Sequence, residues 1–239
     1  MAAFPQTRTS VVRELRSRDP EVYRRAFDGL VAAYWKPVYF HLRLRWEIPD
    51  ADAQDLTQEF FLRLLEKRYL DRYDSARSRF RTFLRLCLDR FITNQKKAST
   101  RLKRGGETVP LSLDFAGAEQ EVREVASEYA DPETRFHREW VRSLLALALE
   151  DLRRRCEETG KTTHLALFQR YDLEPPDSGP ASYQHLAEAF DLPVTQVTNH
   201  LAWARREFRR LLLERLRHLC GSEREFRAEA KALLGVEVA

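Results

Sequence analysis

The chain has 239 residues, 43% of them hydrophobic and 33% charged, with a formal net charge of +4. That is enough apolar material for one large domain or two of roughly 100 residues each, and too much for a disordered chain. Only eight glycines, no β-branched runs and a dominance of Leu, Arg, Glu and Ala argue against a sheet and for an all-α protein of two helical lobes.

The three cysteines, Cys87, Cys156 and Cys220, are far apart and show no CxxC or Cys/His ligand spacing, so a reduced chain without a metal site is expected. No segment reaches the ~18 apolar residues of a membrane helix, and the start "MAAFPQTRTSVVREL" lacks the apolar core of a signal peptide. The expectation is a soluble, cytoplasmic protein.

In chain order, "RDPEVYRRAFDGLVAAYWKPVYFHLRLRWEIPD" opens with Asp19 as N-cap and Pro20 at the first helical position. Apolar residues then recur at Val22, Ala26, Leu30, Tyr34, Val38 and Leu42, which predicts a long helix with a kink at Pro37. Pro49-Asp50 ends it and starts "DAQDLTQEFFLRLLEK". There Leu56, Phe60 and Leu64, flanked by Phe61 and Leu65, form the side expected to be buried. Asp52, Asp55, Glu59, Arg63 and Glu66 fall on the other side. A helix macrodipole accounts for acids in the first turn but fades before Glu59 and Glu66, and a partner with a basic face accounts for all of them. Spacing does not choose between the two.

After "YLDRYDSARS" comes a third helical pattern, Phe80, Phe83, Leu84, Cys87, Leu88, Phe91 and Ile92, with a basic face running on into "NQKKASTRLKR". From Arg77 to Arg104 there are ten bases against one acid, Asp89. A solvated face normally mixes signs, so this density points to a polyanion, while the aromatics sit at core spacing. These helices, residues 1–104, make the first lobe, closed by Gly105-Gly106.

The sign then flips: residues 105–130 carry six acids against Arg123 alone and read as an acidic linker, with a loose helix near the end. Asp131-Pro132 starts a helix through Trp140, Leu144, Leu147 and Leu152 that opens a second lobe, residues 131–221, continued by "THLALFQRY" and the loop "LEPPDSGPAS". Residues 182–210 have helix-turn-helix spacing. A short helix with Leu186, Ala187 and Phe190 meets a turn at Asp191-Leu192-Pro193, and a longer helix follows with Val197, Leu201, Ala204, Phe208 and Leu211. Thr195, Gln196, Thr198 and Asn199 then lie where side chains enter a major groove, and Arg205, Arg206, Arg209 and Arg210 lie where phosphates could be neutralised. An ordinary helical hairpin is the plain alternative. Asp191, at a turn position often held by Gly, tolerates the left-handed conformation better than most residues. Residues 222–239 form an amphipathic extension opened by the capping box Ser222 to Glu225, expected to cap the second lobe or to bind a regulator.

Six dispersed histidines, no HExxH, GxSxG or Gly-rich phosphate loop and no paired carboxylates argue against an enzyme or a cofactor, and Asp89, Glu150 and Asp151 read as surface charges.

Taken together, "DAQDLTQEFFLRLLEK", "RYDSARSRFRTFLRLCLDRFITNQKK" and "SYQHLAEAFDLPVTQVTNHLAWARREFRRLL" resemble extracytoplasmic-function (ECF) sigma factors of the sigma-70 family, initiation subunits of bacterial RNA polymerase. The resemblance covers roughly residues 20–97 and 131–217. It departs at Phe83, where Trp is frequent, at Asn199-His200, where Ser-Arg is common, and in a second lobe lengthened by "RCEETGKTTH" and "EPPDSGP". It implies partners: core RNA polymerase through its β′ and β subunits, promoter DNA, and in some members an anti-sigma factor, with no membrane or small-molecule substrate. Position by position, it implies that Asp52, Asp55, Gln58, Glu59 and Arg63 dock on a basic coiled coil of β′. Promoter melting would use Arg72, Arg77 and Arg79 in the loop, with Arg81, Arg85, Arg90, Asn94 and Lys97 on the following helix. Thr195, Gln196, Thr198, Asn199, Arg205 and Arg206 would read a more distant promoter element, and the acidic linker would thread the RNA exit path. The rival readings are a stand-alone helix-turn-helix regulator and an adaptor that binds polymerase without reading promoters.

Overall fold

The structure, a computed structural model, describes residues 10–66, 69–99, 113–125, 131–174 and 182–235. The described residues are helical without a strand, so the chain is all-α. The expected lobe boundary at Arg104, the Gly105-Gly106 pair, the bases Arg101, Lys103 and Arg104, and most of the loop "LEPPDSGPAS" lie outside the described residues. The chain divides into two compact units, residues 1–143 with 216–239, and residues 144–215. The sequence reading draws different lobes, and the reason is which apolar faces meet.

In the first unit, α1 (Val11–Glu14) leads into α2 (Pro20–Arg45), started by Asp19 accepting from the backbone N–H of Glu21 and Val22. α2 runs as one helix through Pro37, whose ring is buried. α3 (Asp50–Glu66), a 3-10 turn (Tyr69–Arg72) and α4 (Phe80–Ser99) follow. The buried stripe of α3 is Ala53, Thr57, Phe60, Phe61 and Leu64, while Leu56 and Leu65 are half-buried. The stripe is thus rotated from the expected one. Thr57 fits inside because its hydroxyl donates to the carbonyl of Ala53 at 2.7 Å. Phe60 of α3 meets Phe91 of α4 at 5.7 Å, and Tyr34 of α2 meets Phe80 edge-on at 5.8 Å.

The second half of the expected linker is α5 (Phe115–Val125), laid on α2. Phe115 packs against Trp35 and Tyr39 at 5.5 and 5.3 Å, and Glu121 pairs with Lys36 at 2.6 Å. Residues 105–112 and 126–130 lie outside the described residues. α6 (Pro132–Glu158) brings Trp140 against Tyr34 at 6.4 Å. α10 (Glu223–Leu234) buries Phe226 and Ala230 within this first unit rather than capping the second lobe, which corrects that expectation. Its Ser222 caps the helix start, accepting from Glu225 N at 3.2 Å.

The second unit holds the later part of α6, α7 (Thr162–Phe168) with a π-turn (Gln169–Leu173), α8 (Tyr183–Phe190) and most of α9 (Val194–Leu219). Leu152, Cys156, Leu165, Leu167, Phe168, Leu186, Val197, Leu201 and Ala204 make its core. All three cysteines are free and buried, and burial pushes the Cys87 thiol up to about 11.

Candidate nucleic-acid interface

Three surfaces carry the residues singled out in the sequence, two in the first unit and one in the second. On α3, Asp52 and Asp55 are exposed and make no ion pair or hydrogen bond to a described residue, whereas the half-buried Glu59 pairs with Arg63 at 2.6 Å and accepts from Gln95 of α4 at 2.6 Å. Arg63 in turn lies over the Phe91 ring. Gln58 is half-buried beside them. Among the described residues the acidic ridge is therefore without a cation at Asp52 and Asp55 and balanced at Glu59. Exposed carboxylates without cations raise the local negative potential, which favours a basic partner.

The basic surface of α4 divides in the same way. Arg90 and Asn94 are exposed, as is Lys97, and Leu86 is an exposed apolar neighbour. Arg72 and Arg77 are exposed on the preceding loop, with Arg77 in a solvent-facing i,i+3 pair with Asp74 at 3.3 Å, an interaction worth little. Arg79, Arg81 and Arg85 are otherwise committed. Arg79 and Arg81 both pair with Glu229 of α10, whose side chain is only 3% exposed, and Arg81 lies over the Trp140 ring. Arg85 pairs with Asp89 at 3.2 Å and Glu133 at 3.3 Å.

Asp89, read from the sequence as a surface charge, is instead a partly buried hub. It accepts from Trp46 Nε1 at 3.0 Å and lies 2.8 Å from His41 Nε2. Burial works to raise its carboxyl, and the His41 and Trp46 bonds with the Arg85 charge outweigh that, holding it below the ordinary carboxylate value. Between this hub and the start of α6 lies an open cavity of about 760 Å³ lined by Arg45, Trp46, Arg90, Asn94 and Glu133 among others. Nothing in the local pattern distinguishes Asp89 from a solvated acid, because its partners come from 43 and 48 residues away.

In the second unit, α8 and α9 are joined by three residues. Asp191 takes the left-handed conformation (φ 51, ψ 50), and Leu192 N donates to Ala187 O at 2.9 Å, which closes the helix end. Thr195, Gln196, Thr198 and Asn199 are all exposed on the first turns of α9. Arg206 and Arg209 are exposed without an ion pair among the described residues. Arg205 is held bidentately by Asp172 at 2.9 Å and lies over Tyr171. Arg210 pairs with Glu207 and Glu214. Asp151, also read as a surface charge, is clamped by Arg215 at 2.5 and 2.7 Å and by Arg154, again through a partner distant in sequence. Among the described residues no group of histidines, cysteines and acids could hold a metal ion, and no helix is long and apolar enough to cross a membrane.

Residues 30–102 match the family model of Sigma-70 region 2, and that match supports a sigma factor of the sigma-70 family. That match supports a sigma factor role in RNA polymerase transcription initiation, with core polymerase and promoter DNA as partners, in a family of initiation factors rather than of catalytic enzymes. No curated protein and no solved structure matches the chain.

Proposed function

We propose that the chain is a cytoplasmic sigma factor of the ECF type, which joins core RNA polymerase through the ridge of α3, opens promoter DNA with the loop before α4 and the face of α4, and reads a distal promoter element with the start of α9. The observation that carries the reading is the pair Asp52 and Asp55, exposed and without a cation among the described residues inside the segment that matches region 2. Asp52 lies in the first turn of α3, where the helix dipole favours a carboxylate, whereas Asp55 lies beyond that turn, and a basic coiled coil of β′ complements both. Glu59, Gln58 and Arg63 border this contact, with Glu59 already balanced by Arg63.

For DNA, Arg72, Arg77, Arg90, Asn94 and Lys97 face outward and suit phosphates and unstacked bases. Arg79, Arg81 and Arg85 act on DNA only if they leave the carboxylates that hold them, so their role is to shape the face. On α9, Thr195, Gln196, Thr198 and Asn199 offer hydroxyls and amides to base edges, with Arg206 placed for phosphate and Arg205 tied to Asp172.

The test is run-off transcription with purified chain and sigma-free core polymerase on bacterial genomic fragments. Selective initiation is expected. Silence there, together with tight duplex binding by the chain alone, would establish the stand-alone regulator instead.

A further inference from the structure

The loop from Tyr69 to Arg79 is held by both ends of the chain, outside the segment that matches region 2. From the N-terminal side, the Arg16 guanidinium donates to the backbone carbonyls of Leu70 at 3.3 Å, Asp71 at 3.5 Å and Tyr73 at 3.3 Å. From the C-terminal side, the buried Glu225 carboxylate accepts from Phe80 N at 2.6 Å, from Tyr73 OH at 2.9 Å and from Gly221 N at 2.8 Å. It thus caps the start of α4 from another helix, satisfying an amide that α4 itself leaves unpaired. In the capping box read from the sequence, Glu225 would turn back to its own N-cap; here it turns outward to the loop. Arg224 adds a bond to Ala76 O at 3.4 Å. Gly221 is required for the approach, since a Cβ there would stand 2.4 Å from the Tyr73 ring.

What these bonds fix is the inner side of the loop. Its outer side, Arg72, Asp74, Ala76 and Arg77, stays exposed. We infer that Arg16 and Glu225 are positioning residues for promoter opening: from opposite ends of the chain they hold the 69–80 segment in one shape, ready to receive an unstacked base. The inference rests on the sigma reading above. A segment ordered in advance loses no conformational freedom when it captures a base, so the gain falls on the strand-opening step rather than on polymerase binding.

Arg16→Ala, Tyr73→Phe and Glu225→Gln test it. Arg16 is exposed and Tyr73→Phe keeps the ring, so these two retain the fold, which circular dichroism checks. Each is compared with wild type for core-polymerase association and for initiation on a promoter chosen in the run-off experiment. The template is either fully duplex or pre-opened by a mismatched bubble. Expected are unchanged core binding, duplex initiation reduced on the order of tenfold for loss of a bond to a charged group, and initiation on the bubble within about twofold of wild type. Equal loss on both templates, or no loss on either, overturns the positioning role. Silence of the wild type on both templates shows instead that the sigma reading has failed, and the inference falls with it.

Discussion

Glu119 tests whether the acidic segment is part of the folded first unit. Its side chain is 9% exposed and takes Arg43 bidentately at 2.7 and 2.8 Å and the Tyr39 hydroxyl at 2.7 Å. The Arg43 bonds, working against burial, hold its carboxyl down to about 2 from the ordinary 4.5. A carboxyl moved that far contributes at most about 3 kcal/mol of stability at neutral pH. Because the folded value is depressed, the contribution is present in full above the unfolded value. It is lost as pH falls from about 4.5 towards 2. Glu119→Gln removes the charge, leaving Arg43 with the Ile48 carbonyl, and the expected loss is about 3 kcal/mol, the lower end for a broken buried pair. The assay is urea unfolding followed by fluorescence, since Trp35 lies against Phe115 of α5 and senses its release. At about pH 7 the variant unfolds at lower urea than wild type, and towards about pH 2.5 the two curves converge. A loss of the same size at both pH values, or none at neutral pH, would refute the electrostatic account of α5 docking.

The double substitution Asp52→Lys with Asp55→Lys is expected to abolish association with core polymerase while shifting stability by no more than about 0.5 kcal/mol, since both side chains are exposed; pull-down and urea unfolding check the two halves. Replacing Thr195, Gln196 and Asn199 with Ala is expected to relax promoter choice by about 1–3 kcal/mol per lost base contact, with core binding intact, read by run-off selectivity among fragments. An unchanged promoter profile would instead mark the chain as an adaptor. Asp191→Ala is expected to destabilise the second unit by about 1 kcal/mol and Asp191→Gly to stabilise it, because a Cβ is strained at φ 51; thermal unfolding separates them.

Much of the candidate site could be placed from residue order alone. Asp52 and Asp55 sit opposite Phe60 and Leu64 by helical periodicity, and that is enough to put them on a surface. Thr195, Gln196, Thr198 and Asn199 are exposed for the same reason, being out of phase with Val197 and Leu201. The charges that the pattern misassigned are those whose partners are remote. Arg79 and Arg81 look like two more members of a basic run until Glu229 is placed beside them from about 150 residues further on. Asp89 looks solvated until His41 and Trp46 surround it. The acidic linker looks like a tether until Arg43 and Lys36 face Glu119 and Glu121.

Residue order by itself determined the helical class and the helix starts at Asp19-Pro20 and Ser222, because caps and 3.6-residue periodicity act within a few residues of chain. Tertiary structure decided which charged groups remain available to a partner. An ion's fate depends on what lies within a few ångströms of it, and in this chain those neighbours, Glu225, Glu229 and Glu119 above all, arrive from distant segments whose docking is set by the burial of Phe226 and Phe115.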